Sequence, residues 1–187
     1  TPAQPARRRR GLHPGNSRQL RQYDSITCCV FRSTYHSGGR LRAAGELHRA
    51  VTKLGLVDRM LAAQAHGKNL GSPEFYPLYR EAERLDTPIA IHAFGGDEPG
   101  SEIFEQFIAI HTTGHPFPVL RQWTAMIYGG IPEMFPKLRI GYLEIGCGWI
   151  PYWAERMDEE WEKRGKIEAP LCKKKPSAYL TSGQIYY

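Results

Sequence analysis

The sequence predicts an α/β fold made of parallel strand–helix units. Three observations carry this. Short apolar runs alternate with helical periods from about residue 56 to residue 163, and strand–helix–strand repetition favours parallel pairing through a crossover helix. The run Pro88-Ile89-Ala90-Ile91-His92 ends on a histidine and opens into Ala93-Phe94-Gly95-Gly96. In α/β proteins, ligands bind beyond the carboxyl ends of such strands. Finally, Gly146-Cys147-Gly148 lacks the third glycine of a dinucleotide fingerprint, so the phosphate loop of a nucleotide fold is missing. Periodicity does not separate a closed barrel from an open doubly wound sheet.

Residues 1–40 show no period and read as a basic, poorly ordered arm, with a folded domain over 41–187. Leu47, Ala50, Val51 and Leu54 recur at helical spacing, and Gly55 supplies a stop. Leu56–Leu61 reads as a short strand, with Asp58-Arg59 uncomfortable inside it. Ala62–Pro73 is a loop. Ser72 is placed to cap the next helix, with Pro73 at its first position and Glu74 near the positive end of its dipole. That helix runs to about Leu85, with Phe75, Leu78, Ala82 and Leu85 on one face. Pro88–His92 is the second strand. Ser101 is expected to cap a helix through His111, with a break over Thr112–Pro118 and a further helix over Val119–Tyr128. Leu138–Ile145 reads as a third strand and Trp149–Lys163 as an amphipathic helix. A helical turn near Pro176–Leu180 and a short strand at Gln184–Tyr187 follow.

A chain of 187 residues suffices for one sizeable domain. The net charge of +6 is concentrated in the arm, which holds Arg7 to Arg10, Arg18, Arg21, Arg32 and Arg40, opposed there by Asp24. Arg7–Arg10 would suit nucleic acid or an anionic surface. A solvated tail accounts for them more simply, so nucleic acid is not an expected partner. Cys28 and Cys29 are adjacent, which disfavours a mutual disulfide, and no Cys-x-x-Cys occurs. Reduced thiols and a cytoplasmic location are expected. No apolar run is long enough to span a bilayer, and no secretory signal is evident.

Several phrases point further. They are Glu46-Leu47-His48-Arg49-Ala50-Val51-Thr52-Lys53-Leu54-Gly55-Leu56, Ala65-His66-Gly67-Lys68-Asn69-Leu70-Gly71 and Thr87-Pro88-Ile89-Ala90-Ile91-His92. Gly130-Ile131-Pro132-Glu133-Met134-Phe135-Pro136-Lys137-Leu138 and Glu144-Ile145-Gly146-Cys147-Gly148-Trp149-Ile150-Pro151 follow in order. From about residue 45 onward the chain resembles the amidohydrolase-related family, in the branch near aminocarboxymuconate-semialdehyde decarboxylase. The resemblance implies a (β/α)₈ TIM-type barrel with a divalent metal at its C-terminal mouth. It implies hydrolysis of C–N or C–O bonds, or removal of a carboxylate from a small acid. Such a barrel takes about 250 residues, so the expectation is a partial barrel comprising its middle βα units. The family holds its metal with a His-x-His pair on the first strand, a middle-strand histidine and a last-strand aspartate. His92 matches the middle-strand histidine. No His-x-His occurs, and no aspartate follows Asp158.

Alternation along Pro88–His92 puts Ala90 and His92 on one face and the isoleucines on the other, so in a barrel His92 points inward at the mouth. Imidazole suits Zn²⁺ and other divalent metals, and zinc is the expected metal. A hydrogen-bonded structural histidine is the plain alternative. Glu144, on strand parity with Ile140 and Tyr142, is the candidate acid–base carboxylate. Decarboxylase relatives carry a histidine near that strand end. His66, Asn69 and Trp149 are candidate substrate-binding residues, and each also has an ordinary structural reading. His111 and His115 stand four apart, a spacing that suits a metal on a helix, but Gly114 and Pro116 argue against that helix. Cys147 lacks a partner base and is not a nucleophile candidate. The resulting expectation is a metal-dependent hydrolase or decarboxylase acting on a small organic acid or ester. Open sheet edges would favour a homo-oligomer. The rival reading is a metal-free remnant or binding module.

Overall fold

A computed structural model describes residues 39–64, 68–93 and 99–187, with side chains from Ala43 onward. Four parallel strands lie side by side in chain order: β1 (Arg59–Ala62), β2 (Ile89–His92), β3 (Ile140–Tyr142) and β4 (Ile185–Tyr186). The sequential order and helical crossovers make this an arc of a (β/α)₈ barrel.

The helices pack on one face of the arc. Helix α1 (Gly39–Leu54) buries Ala43, Leu47 and Ala50 and stops at Gly55, whose φ is +70°. A 3₁₀ turn, Pro73–Phe75, leads into α2 (Tyr76–Arg84), which buries Leu78, Tyr79 and Ala82. The Ser72 side chain does not cap this segment; its hydroxyl donates instead to the Asn69 carbonyl. Beyond β2 come α3 (Phe107–Gly114), α4 (Pro116–Tyr128) and the single turn α5 (Ile131–Met134). Helix α6 (Ile150–Glu160) runs on through a π-helical turn, Trp161–Gly165, into α7 (Lys166–Glu168).

Four expected boundaries move. The first strand begins at Arg59, which leaves Asp58 outside the ladder. Ser101 opens only a three-residue 3₁₀ turn, and α3 starts at Phe107. The expected break over Thr112–Pro118 is helical on both sides of His115. Proline is tolerated in a first helical turn, where its missing N–H has no partner to lose. The third strand is shorter than expected, because the chain turns left-handed at Glu144.

Register explains the two faces of the sheet. Ile89 pairs with Ile140 and Ile91 with Tyr142, and all four are buried toward the helices. Ala90 and Gly141, paired on the opposite face, are only half-buried. His92 shares that face. The core on the helix side includes Trp123, Met126, Ile127, Tyr142 and Met157. Burial pushes the Tyr142 phenol far above its usual range.

Gly130 carries the turn between α4 and α5. Its φ is +71°, and a Cβ there would lie 2.5 Å from Leu171 Cβ and 2.6 Å from the Leu171 carbonyl oxygen. Left-handed strain costs about 1–2 kcal/mol, and overpacking against backbone adds a similar amount. Gly130→Ala is therefore expected to destabilise the fold by about 2–4 kcal/mol. Gly45→Ala, whose added Cβ meets nothing within 4 Å, is the matched control. Urea titration of the two variants checks the difference; equal midpoints would contradict it.

Candidate active site

The site forms where β2 and β3 end. His92 is the last residue of β2, and its side chain is 16% exposed. The backbone carries it there through two neighbours: Ala63 N donates to the His92 carbonyl at 2.8 Å, and Leu143 N donates to the Ile91 carbonyl at 2.9 Å. Its Nε2 lies 3.2 Å from Glu144 Oε2.

Strand parity predicts Glu144 beside Ile140 and Tyr142, facing the helices. The structure puts its carboxylate on the His92 side instead. The cause is local: Glu144 has φ +62° and Gly146 φ +64°. A left-handed residue ends the two-residue alternation and re-aims its side chain. Glutamate in this region costs about 1–2 kcal/mol relative to glycine, and such outliers cluster at functional sites.

The third member is His115, from the His111/His115 pair. It sits at the junction of α3 and α4 with helical backbone angles, φ −85° and ψ −52°. Its ring meets the His92 ring at 5.3 Å and 85°, edge to face. On its other side the His111 ring lies 4.9 Å away at 32°, and Phe107 covers His111 at 5.4 Å. One ligand atom from each of His92, His115 and Glu144 can be chosen so that all lie within 4.8 Å of one another. The His-x₃-His spacing was the available signal. Gly114 and Pro116 argue against a helix there, but Gly114 closes α3 and Pro116 opens α4.

Burial holds the His115 pKa below the usual imidazole value, and the neighbouring His111 and His92 add to this; Glu144 pulls the other way. The folded protein therefore favours neutral His115. Stability from this group is fully present above the unfolded imidazole pKa of about 6.5 and falls as pH drops through the lowered folded value. Unfolding free energy is expected to decline on acidification below about pH 6.5, with a shallower decline in His115→Asn. Denaturant titrations at stepped pH check this. Identical slopes in the two proteins would remove His115 from the account.

The other candidates are placed as follows. Asn69 Oδ1 accepts the Gly71 N–H at 2.7 Å, closing a tight turn after β1. The buried Gln122 steadies that turn from α4. Its Oε1 accepts from Leu70 N, and its Nε2 donates to the Ala63 and Lys68 carbonyls. Lys68 lies 3.6 Å from Glu74. Trp149 packs edge-on against Trp123 at 5.0 Å and donates its indole N–H to the Gly146 carbonyl. His66 lies outside the described residues. Asp158 is turned away from the site. Its two oxygens accept from the Ser177 amide and hydroxyl, at 2.9 and 2.6 Å. Among the described residues Cys147 and Cys172 are free thiols, Cys147 exposed and Cys172 buried. Among the described residues no helix is long and apolar enough to cross a membrane.

Residues 40–186 match the amidohydrolase family, Amidohydro_2. The chain belongs to this family. It is 26% identical over 135 residues to a 2-amino-3-carboxymuconate-6-semialdehyde decarboxylase of Dictyostelium discoideum, covering 72% of this chain and 37% of that protein. It is 29% identical over 147 residues to the decarboxylase orsB of Emericella nidulans, covering 69% and 42%. Among solved structures it resembles a 5-carboxyvanillate decarboxylase of Novosphingobium aromaticivorans complexed with manganese and 4-hydroxy-3-methoxy-5-nitrobenzoic acid. There the TM-score is 0.64 at 22% identity, over 89% of this chain and 50% of the other. A dihydroxybenzoic acid decarboxylase of Polaromonas with bound manganese gives a TM-score of 0.60 at 19% identity, over 78% and 45%. The chain thus spans about two fifths of the length of the curated relatives it matches. His92 ends β2 and Glu144 lies two residues beyond β3, while the His115 ring meets His92 from the junction of α3 and α4.

Proposed function

We propose that this chain contributes to the active site of a metal-dependent decarboxylase or hydrolase whose substrate is a small organic acid or ester. The observation that carries this reading is the convergence of His92, His115 and Glu144 at the C-terminal ends of β2 and β3. The decarboxylase relatives support an unsaturated or aromatic carboxylate as substrate.

The donor set fits a divalent metal. Two imidazoles and a carboxylate suit zinc, manganese and iron(II) alike. Imidazole donors favour zinc over magnesium or calcium, which is why zinc is our choice, and the manganese in the two similar structures supports a divalent ion more broadly. When bound, such an ion supplies Lewis-acid polarisation of a carbonyl or carboxylate. The rest of the work falls to side chains. His92 holds its Nε2 toward the site from a rigid strand end. Glu144 is 71% exposed; with one carboxylate oxygen turned to the metal, the other would exchange a proton with the substrate. Asn69 keeps its side-chain NH₂ for a substrate oxygen while Gly71 holds its carbonyl. Trp149 would flank the bound acid. The free thiols support a reducing, cytoplasmic setting.

The test is turnover by the metal-loaded chain against a panel of small aromatic and unsaturated carboxylic acids and esters, followed by CO₂ or alcohol release. Glu144→Gln is expected to lower kcat by about 10²–10⁴-fold, the usual range for a positioned acid–base group. Glu144→Gly should lose as much activity while relieving about 1 kcal/mol of backbone strain. No turnover of any panel member, together with no bound metal, would favour the metal-free binding module instead.

A further inference from the structure

We propose that His115 is a metal ligand in this chain, so that His92, His115 and Glu144 form a two-imidazole, one-carboxylate site for a divalent cation. The inference rests on that metal-dependent reading and deepens it by assigning His115 as a ligand in its own right, with a binding test that separates its role from that of His92. It needs no His-x-His pair, and the sequence contains none.

Four observations support the assignment. First, the three donor atoms lie within 4.8 Å of one another. Two ligands on one ion at 2.0–2.2 Å stand about 3.4 Å apart in a tetrahedron and at most about 4.4 Å apart. The cluster therefore needs only a small contraction. Second, one donor can provide that contraction: Glu144 is largely exposed, whereas His92 is largely enclosed. Third, the two rings stand edge to face, at 85° rather than stacked. Perpendicular rings can direct ring nitrogens into one volume from two sides. Fourth, the left-handed backbone at Glu144 turns its carboxylate toward that volume. The opposite parity would have sent it among the helices.

The elements that carry the donors are otherwise well fixed. His92 sits in the sheet ladder. His115 sits between two helices, with its amide donating to the His111 carbonyl at 3.2 Å. His111, exposed and tilted 32° against the His115 ring, lies outside the donor group and serves as the internal control.

The experiment is Co²⁺ titration of the full chain by calorimetry and absorbance, after chelator treatment. Wild type should bind one Co²⁺. His92→Ala and His115→Ala should each weaken binding about a hundredfold or more, since even partners that only support a ligand cost 10–100-fold. His111→Ala should stay within about threefold. His115→Cys gives a positive readout that a packing role would not produce. A thiolate on Co²⁺ should add a sulfur-to-metal charge-transfer band, absent from His111→Cys and from wild type, whose exposed Cys147 is the background control. Normal binding in His115→Ala, with binding lost in His92→Ala, would overturn the role of His115 and leave the metal at His92 standing. No Co²⁺ bound by folded wild type would overturn both. Circular dichroism of each variant separates a lost ligand from a lost fold.

Discussion

Replacing His92 by alanine is expected to remove metal binding and turnover together while leaving the fold intact. The ring lies on the half-buried face of β2, opposite Ile89 and Ile91, and so outside the apolar layer between sheet and helices. Truncating it deletes little packed volume, and the expected stability cost is below about 1.5 kcal/mol. The functional cost is of another order. Partners that merely orient a ligand are worth 10–100-fold in metal affinity, and the ligand itself is worth more. Losing it also leaves Glu144 without the imidazole at 3.2 Å. The expectation is at least a hundredfold weaker metal binding and kcat at background, with thermal midpoints nearly unchanged. Metal content after dialysis, measured beside a melting curve, checks it. A variant that keeps its metal would move the site away from the end of β2. A variant that unfolds would make His92 a structural residue.

Much of this arrangement was legible, and the exceptions share a physical cause. Alternation in Ile89-Ala90-Ile91-His92 located the strand, its two faces and its last residue, because burial on one face imposes a period of two. Leu47 and Ala50 marked α1 for the corresponding helical reason. Parity groups Glu144 with Ile140 and Tyr142, an argument that assumes extended backbone; its φ is +62°, and its carboxylate turns to His92 instead. Only the fold reveals a left-handed glutamate, since its intrinsic preference is against it. Gly114 and Pro116 read as a break in the sequence and hide His115. The chain instead starts α4 at Pro116, and tertiary packing of Val119, Leu120 and Trp123 holds that helix in place. His115 reaches His92 across 23 residues of sequence, a contact that no local pattern encodes.

Trp123→Ala is expected to be the most damaging core change. The indole is fully buried on α4 and touches three elements at once. It lies 5.3 Å from the Tyr142 ring of β3 and 5.0 Å from the Trp149 ring that precedes α6. Its Nε1 donates to Met157 Sδ at 3.1 Å. Removing a buried tryptophan leaves a cavity costing about 3–5 kcal/mol, or roughly 6–20 °C in Tm for a chain of this size. Trp149→Ala should cost less, because that ring is only half-buried. The pair of variants also sorts two roles for Trp149. If it flanks substrate, its removal raises KM with a small loss of Tm; if it only clamps the start of α6, Tm falls and KM does not move. Thermal melts and initial-rate kinetics on both variants decide between them. A Trp123→Ala protein that melts within about 3 °C of wild type, below the range that cavity costs imply, would mean that the layer joining β3, α4 and α6 is not the packed centre of this fold.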